Sequence, residues 1–164
     1  MRFKIVLSRL KKIGLGLFLI NFIVNRVFGV NRKMPCSVHF TSKFISPENI
    51  KFQKDTTTLV SFAVSGHCYM QAINGIVLGR NCLFASGVKI ISANHDFENK
   101  NQPVLARPVK IGNNVWIGAN VVILAGVEIA DNCIVGAGSV VTKSFYEPNL
   151  IIAGNPARIV RKYK

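Results

Sequence analysis

The sequence predicts an all-β fold, a parallel β-helix built of hexapeptide repeats, and two observations predict it. First, Leu78, Phe84 and Ile90, then Leu105, Ile111, Ile117, Ile123, Ile129, Val135 and Val141, recur six apart. A 3.6-residue helical period cannot produce that spacing. Four residues after these positions comes a second row of small or β-branched residues, Cys82, Val88, Val109, Val115, Val121, Val127, Cys133 and Ser139, so two residues of each six face inward. Second, Asn81, Gly87, Asn114, Asn120, Gly126, Asn132 and Gly138 each fall three residues after a leading aliphatic. Asn and Gly tolerate a left-handed backbone conformation, so each short strand ends in a tight corner. Coils of flat faces, stacked about 4.8 Å apart as parallel strands, follow.

The expected organisation is a basic, apolar helical segment over residues 1–35, the β-helix over 36–157, and a basic tail over 158–164 carrying a short C-terminal helix. With 164 residues and 49% apolar content, the chain is long enough to bury one core. Its formal charge of +14 is unevenly placed. Eight basic and no acidic residues lie in 1–33, four basic and none acidic in 158–164, and the body between is nearly neutral. Charge confined to the two ends does not make the basic, aromatic face that nucleic acid requires. It fits two separate anionic partners.

Cys36, Cys68, Cys82 and Cys133 lie too far apart for a redox or zinc motif, and read as reduced, mostly buried thiols. At the N-terminus, the apolar run Ile13 to Val24 is shorter than the roughly 20 residues of a spanning helix and lacks a cleavage site. With Lys4, Arg9, Lys11, Lys12 and Arg26 around it, a helix here suits peripheral contact with an anionic cytoplasmic leaflet. Packing on its own domain or on a neighbouring subunit explains the same pattern.

The repeat breaks once. From Ile90 to Leu105 is fifteen residues, not a multiple of six, so a loop over about 93–104 must leave the helix. It contains Asn94, His95, Asp96 and Phe97. A break in an otherwise consistent pattern is where a functional site is expected. A neutral imidazole there has the chemistry to take a proton from a hydroxyl near pH 7. By residue pattern alone, a loop histidine is more often a solvated side chain.

Three segments carry a resemblance: Ile111–Gly118 (IGNNVWIG), Ile134–Lys143 (IVGAGSVVTK) and Ala153–Arg158 (AGNPAR). Over about residues 66–164 the chain resembles the hexapeptide-repeat acyltransferases, and within them the polysaccharide and galactoside-type O-acetyltransferases. The resemblance implies a left-handed helix, contrary to the usual crossover rule, and a homotrimer with sites between neighbouring subunits. It also implies acetyl-CoA as acyl donor and a cytoplasmic enzyme.

The pattern Ile76 to His95 resembles that of galactoside- and maltose-type enzymes, and implies that His95 is the general base of a direct transfer. The residue orienting its ring is left open among Asp96, Glu98 and Gln102. Ala119 would supply a backbone N–H to the oxyanion. Trp116 would line the groove for the pantetheine arm, with Ala137, Thr142 and Lys143 along the same channel, and Arg158 and Arg161 would hold coenzyme A phosphates. Asn74 would meet a sugar hydroxyl; a tight Asn-Gly turn also explains it. His39 and His67 read as structural.

The resemblance further suggests a capsular or exopolysaccharide precursor as acceptor. Other small acceptors (maltose or galactoside, serine, an antibiotic) share the coenzyme site, and a non-catalytic trimeric scaffold at the membrane is the alternative outside enzymes. The β-helical carbonic anhydrases need three zinc-binding histidines, two of them close in sequence. Here His39, His67 and His95 lie 28 apart, so no metal is expected.

Overall fold

The computed structural model describes residues 9–96, 98–99 and 104–163. A helical turn over 9–13 is followed by α1 (Leu15–Phe22), a π-helical turn (Ile23–Val27) and a second helix, α2 (Thr56–Val64). Apart from a 3-10 turn at Pro47–Asn49, the remaining elements are short strands. In chain order they are β1 (Lys43–Ile45), β2 (Ile50–Phe52), β3 (Tyr69–Gln71), β4 (Ile76–Leu78), β5 (Leu83–Phe84), β6 (Lys89–Ile91) and β7 (Val109–Ile111). There follow β8 (Trp116–Ile117), β9 (Val122–Ile123), β10 (Glu128–Ile129), β11 (Ile134–Val135), β12 (Val140–Val141), β13 (Leu150–Gly154) and β14 (Ala157–Lys162).

These make three sheets, the faces of a triangular prism. One runs β1-β3-β6-β9-β12 (sheet A), one β2-β4-β7-β10 (sheet B) and one β5-β8-β11-β13-β14 (sheet C). Every pairing but the last is parallel, as a left-handed β-helix requires. A regular coil takes eighteen residues, as Val122 to Val140. The coil carrying the loop takes thirty-three, Lys89 to Val122.

The repeat explains the core. The leading aliphatics from Leu78 to Val141 are buried, Leu105 excepted, as is the whole second row from Cys82 to Ser139. All seven corner residues adopt positive φ, from 55° at Asn81 and Asn114 to 75° at Gly87. At one edge the asparagines also bond to each other: Asn81 Nδ2 donates to Asn114 Oδ1 at 3.2 Å, and Asn114 Nδ2 to Asn132 Oδ1 at 3.1 Å.

Leu105 departs from the expected pattern. It is 93% exposed, because the chain is still outside the prism there; the hexad it leads contributes only its second inward residue, buried Val109. The expected C-terminal helix is also absent. After Gly154 the chain reverses, and β14 pairs antiparallel with β13, Arg158 opposite Ala153 and Arg161 opposite Ile151. Leaving the outer edge of β13 unpaired would cost backbone hydrogen bonds that a helix could not replace.

The first coil lacks a sheet C strand, and α2 takes that place. Asp55 caps it by accepting from the Thr58 N–H at 2.9 Å. Its buried hydroxyls serve the open edge of β5: Thr58 Oγ1 accepts from the Cys82 N–H at 3.1 Å, and the Ser65 hydroxyl donates to the Phe84 carbonyl at 2.6 Å. Phe62 closes the end of the core against Phe52, Phe84 and Phe44, with ring centroids 4.9, 5.0 and 5.9 Å away.

Candidate active site

The loop leaves at the corner between sheets A and B. Its exit is fixed from the coil before it. Asn74 Nδ2 donates to the carbonyls of Ser92 and Val104, both at 2.9 Å, so one amide grips both ends of the loop. The Asn74 N–H donates to the buried Ser92 hydroxyl at 3.0 Å, and the Ala93 N–H to Gln71 Oε1 at 3.0 Å. Val104 N–H closes the neck on the Asn94 carbonyl at 2.8 Å. With its NH₂ committed, Asn74 has an Oδ1 that takes no bond among the described residues and can meet a ligand.

His95 stands just beyond this neck and is exposed. Asp96 does not turn to it: its Oδ1 accepts from the Asn99 and Glu98 N–H groups at 2.9 and 2.8 Å, and those bonds hold the carboxyl below its ordinary range. Gln102 and Phe97 lie outside the described residues.

Beside Asn74 an open cleft of about 310 Å³ is lined by Asn49, Lys51, Ile73, Val77 and Pro108. Two polar side chains next to half-exposed aliphatics offer hydrogen bonds to hydroxyls and an apolar floor for a ring face. Asn49 and Lys51 carry no signal in the sequence, since they precede the clear repeats and no spacing ties them to Asn74.

The residues expected to hold coenzyme A divide between two corners and sheet C. Trp116 lies on the outer face of sheet C, half exposed, between Leu83 and Ile134 of adjoining coils. Ala119 and Ala137 follow at the corner leading into sheet A, where the Ala119 carbonyl accepts from the Gly138 N–H at 2.8 Å. The coils meet closely there. A Cβ on Gly118 would come within 2.6 Å of the Ala137 nitrogen, so only glycine permits the approach. Gly136 stacks in the same way on Ala153, opposite which stands exposed Arg158. Arg158 Nη1 donates to the Ala157 carbonyl at 3.0 Å, and Arg161 is exposed further along β14.

Thr142 and Lys143 are not on that corner. They follow β12, at the corner that carries the loop two coils earlier, with Lys143 Nζ 5.9 Å from the Phe145 ring centroid. His95 and Ala119 likewise lie at opposite edges of sheet A, one after β6 and the other before β9. A three-residue strand is about 10 Å long. One protomer therefore does not bring the imidazole and the Ala119 N–H to one reacting atom.

The remaining candidates have local roles. His39 Nδ1 lies 2.9 Å from the Thr41 hydroxyl, and His67 occupies a positive-φ corner at 56°. Burial pushes the Cys36 thiol up to about 12 and Cys82 up to about 11, which leaves neither a nucleophile at neutral pH.

Comparisons with known proteins agree with this architecture. Residues 108–143 match the family described as "Bacterial transferase hexapeptide (six repeats)". The Escherichia coli K12 protein WbbJ, named as a lipopolysaccharide biosynthesis O-acetyl transferase, is 31% identical over 166 residues, covering 86% of this chain and 84% of its own. The galactoside O-acetyltransferase of the same organism is 43% identical over 90 residues, covering 53% of this chain and 44% of its own. A solved galactoside acetyltransferase in complex with coenzyme A superposes with a TM-score of 0.50 at 30% identity, over 74% of this chain and 62% of that one. The chain thus spans less than half of the galactoside enzyme's length, and most of WbbJ's. Shared coils, shared corners and an alignment running nearly end to end with WbbJ make this chain a member of the hexapeptide-repeat acetyltransferase family.

Proposed function

We propose that this protein is an acetyl-CoA-dependent O-acetyltransferase that acetylates a hydroxyl of a sugar, in a capsular or exopolysaccharide precursor, within the cytoplasm. The observation that carries the reading is the loop gripped at its neck by Asn74, with His95 presented just beyond and a polar cleft alongside. Similarity to a galactoside enzyme and to WbbJ supports the sugar acceptor. The half-exposed Trp116, the close-packed corner at Ala119 and Ala137, and the cations Arg158 and Arg161 suit a pantetheine arm ending in phosphates, to which Lys143, at the other corner, would be added from a neighbouring subunit.

In the mechanism, His95 accepts the proton of the acceptor hydroxyl as its oxygen attacks the thioester carbonyl. The new C–O bond forms, the C–S bond breaks, and the proton passes from His95 to the departing sulfur. The Ala119 N–H steadies the oxyanion between these events. Because His95 and Ala119 stand at opposite edges of sheet A, the reading requires a trimer in which one subunit lends the imidazole and its neighbour the N–H. Holding both substrates in that cleft makes the attack effectively intramolecular.

The test is coenzyme A release against a panel of sugar acceptors, comparing the parent with His95→Ala. General-base assistance is worth roughly 10²–10⁴ in rate, so kcat falls by that factor. Coenzyme A binding, read from the emission of the single Trp116, is unchanged. Parental turnover in His95→Ala, or a monomer that turns over at the parental rate, overturns the proposal.

A further inference from the structure

Helix α1 and the π-helical turn after it are amphipathic in the opposite sense to a water-facing helix. The fully buried side chains of this segment are asparagines, with Phe18 half-buried beside them. Asn21 is 1% exposed, donates from Nδ2 to the Ala63 carbonyl at 3.0 Å, and accepts from the Phe40 N–H at 2.9 Å. Asn25 is 4% exposed, donates to the Val38 carbonyl at 2.8 Å, and accepts from Asn31 Nδ2 at 3.0 Å. The face turned away carries Leu15, Leu19, Phe22, Ile23, Val27 and Phe28, the first 67% and the last 75% exposed. Several large aliphatic and aromatic side chains in one contiguous stretch exceed the scattered exposure normal on a soluble surface.

Cations stand at both ends of this stretch. Lys11 and Lys12 precede it, Arg26 lies in its last turn, and Arg32 and Lys33 follow, all exposed. The first acidic residue of the chain is Glu48. A second copy of the same face would bring like charges together, so charge complementarity selects an anionic occupant. Among the described residues no helix is long and apolar enough to cross a membrane, and thirteen helical residues reach about 20 Å. Such an element lies in the headgroup layer rather than across it.

We propose that this inverted helix is a docking face for an anionic phospholipid surface. Its apolar side chains enter the acyl boundary, and Lys11, Lys12, Arg32 and Lys33 sit among the phosphates. The asparagines fix the helix to the prism, so that what faces the lipid is held rather than recruited. The docking face belongs to the first-coil end, since α1 is tied to Val38, Phe40 and Ala63. Asn49 and Lys51 of the candidate acceptor cleft lie in that same coil. Delivery of an acceptor carried on a lipid phosphate to that cleft rests on the function proposed above; docking itself does not.

The experiment is flotation of the full chain with vesicles of phosphatidylcholine alone and of phosphatidylcholine mixed with phosphatidylglycerol. Binding is expected on the anionic vesicles, and release near 1 M salt, where the screening length falls to about 3 Å. Exchanging Lys11 and Lys12 for Gln should weaken it roughly tenfold or more, and Leu19→Glu with Phe22→Glu should abolish it. Both variants should keep the parental near-ultraviolet circular dichroism, sedimentation coefficient and turnover of a water-soluble acceptor. Failure of the folded parent to float overturns the proposal, as does equal binding to neutral vesicles. A Leu19→Glu/Phe22→Glu variant that changes its oligomeric state while still floating assigns the face to a second copy, and overturns it too.

Discussion

Asn74 and Val104 lie thirty residues apart and are joined by one hydrogen bond of 2.9 Å, from the Asn74 amide to the Val104 carbonyl. The second proton of that amide holds Ser92, on the outgoing side of the loop. Asn74 thus holds both ends of the loop on which His95 stands. In Asn74→Ala both carbonyls lose their donor, at roughly 1 kcal/mol each. Amide hydrogen exchange over residues 92–108 should quicken and kcat should fall. Were Asn74 only a contact to the acceptor, KM would rise and exchange in the loop would stay as in the parent.

Asp55 links the cap of α2 to the first complete coil. Burial raises its carboxyl, but the bonds from the Thr58 N–H, the Thr58 hydroxyl and the Asn81 N–H outweigh burial and hold it below the ordinary 3.8. A group depressed on folding stabilises the native state above its unfolded value and loses that contribution as pH falls through the folded one. Asp55→Ala should lower stability by about 1 kcal/mol at pH 7. The gap between variant and parent should narrow as thermal melts are moved below pH 4, because the parent alone gives up the bond there.

At Asn114 two demands meet: φ of 55° and a place in the asparagine ladder between Asn81 and Asn132. Asn114→Gly satisfies the first only, and Asn114→Ala satisfies neither. A left-handed alanine costs roughly 1–2 kcal/mol, so urea midpoints should fall in the order parent, glycine, alanine. Equal midpoints for the two variants would assign the whole effect to the ladder.

Burial keeps all four thiols protonated, with Cys36 at about 12 and Cys82 at about 11. At pH 8 fewer than about one in a thousand Cys82 thiols is ionised, so Ellman's reagent should react slowly with the native protein and quickly in denaturant. The sign of the linkage is alkaline: thiols of the unfolded chain ionise above the ordinary 9.0 while the buried ones do not. Stability should therefore fall as pH rises from about 9 toward 11 or 12.

The prism was legible because its physics is periodic. A residue at every sixth position must be apolar to fill the core, and the third residue after each must accept positive φ, so Ile117 and Asn120 announce themselves together. Where the period stops, reading by spacing goes astray. Leu105 keeps the count but not the geometry, since its six-residue interval to Ile111 crosses the end of the loop. The last strand hid because Arg158 to Lys162 pairs with its neighbour only after a reversal at Gly154. His95 was visible as an interruption. The clamp at Asn74 was not, since a bond across thirty residues leaves no mark in local sequence. The apolar stretch near Leu19 was visible too, but which side Asn21 and Asn25 would take depends on carbonyls from Val38 and Ala63.

The hydroxyls of Thr58, Ser61 and Ser65 along the edge of β5 bear on a hazard common to every stack of identical coils. Nothing in the repeat itself limits its length, and a bare terminal coil invites another molecule to continue the ladder into a filament. By spending its side-chain oxygens on the Cys82 and Phe84 backbone, α2 leaves sheet C with no vacancy at that end. Antiparallel β14 breaks the parallel register at the other. Sheet C is thereby closed to further coils in both directions.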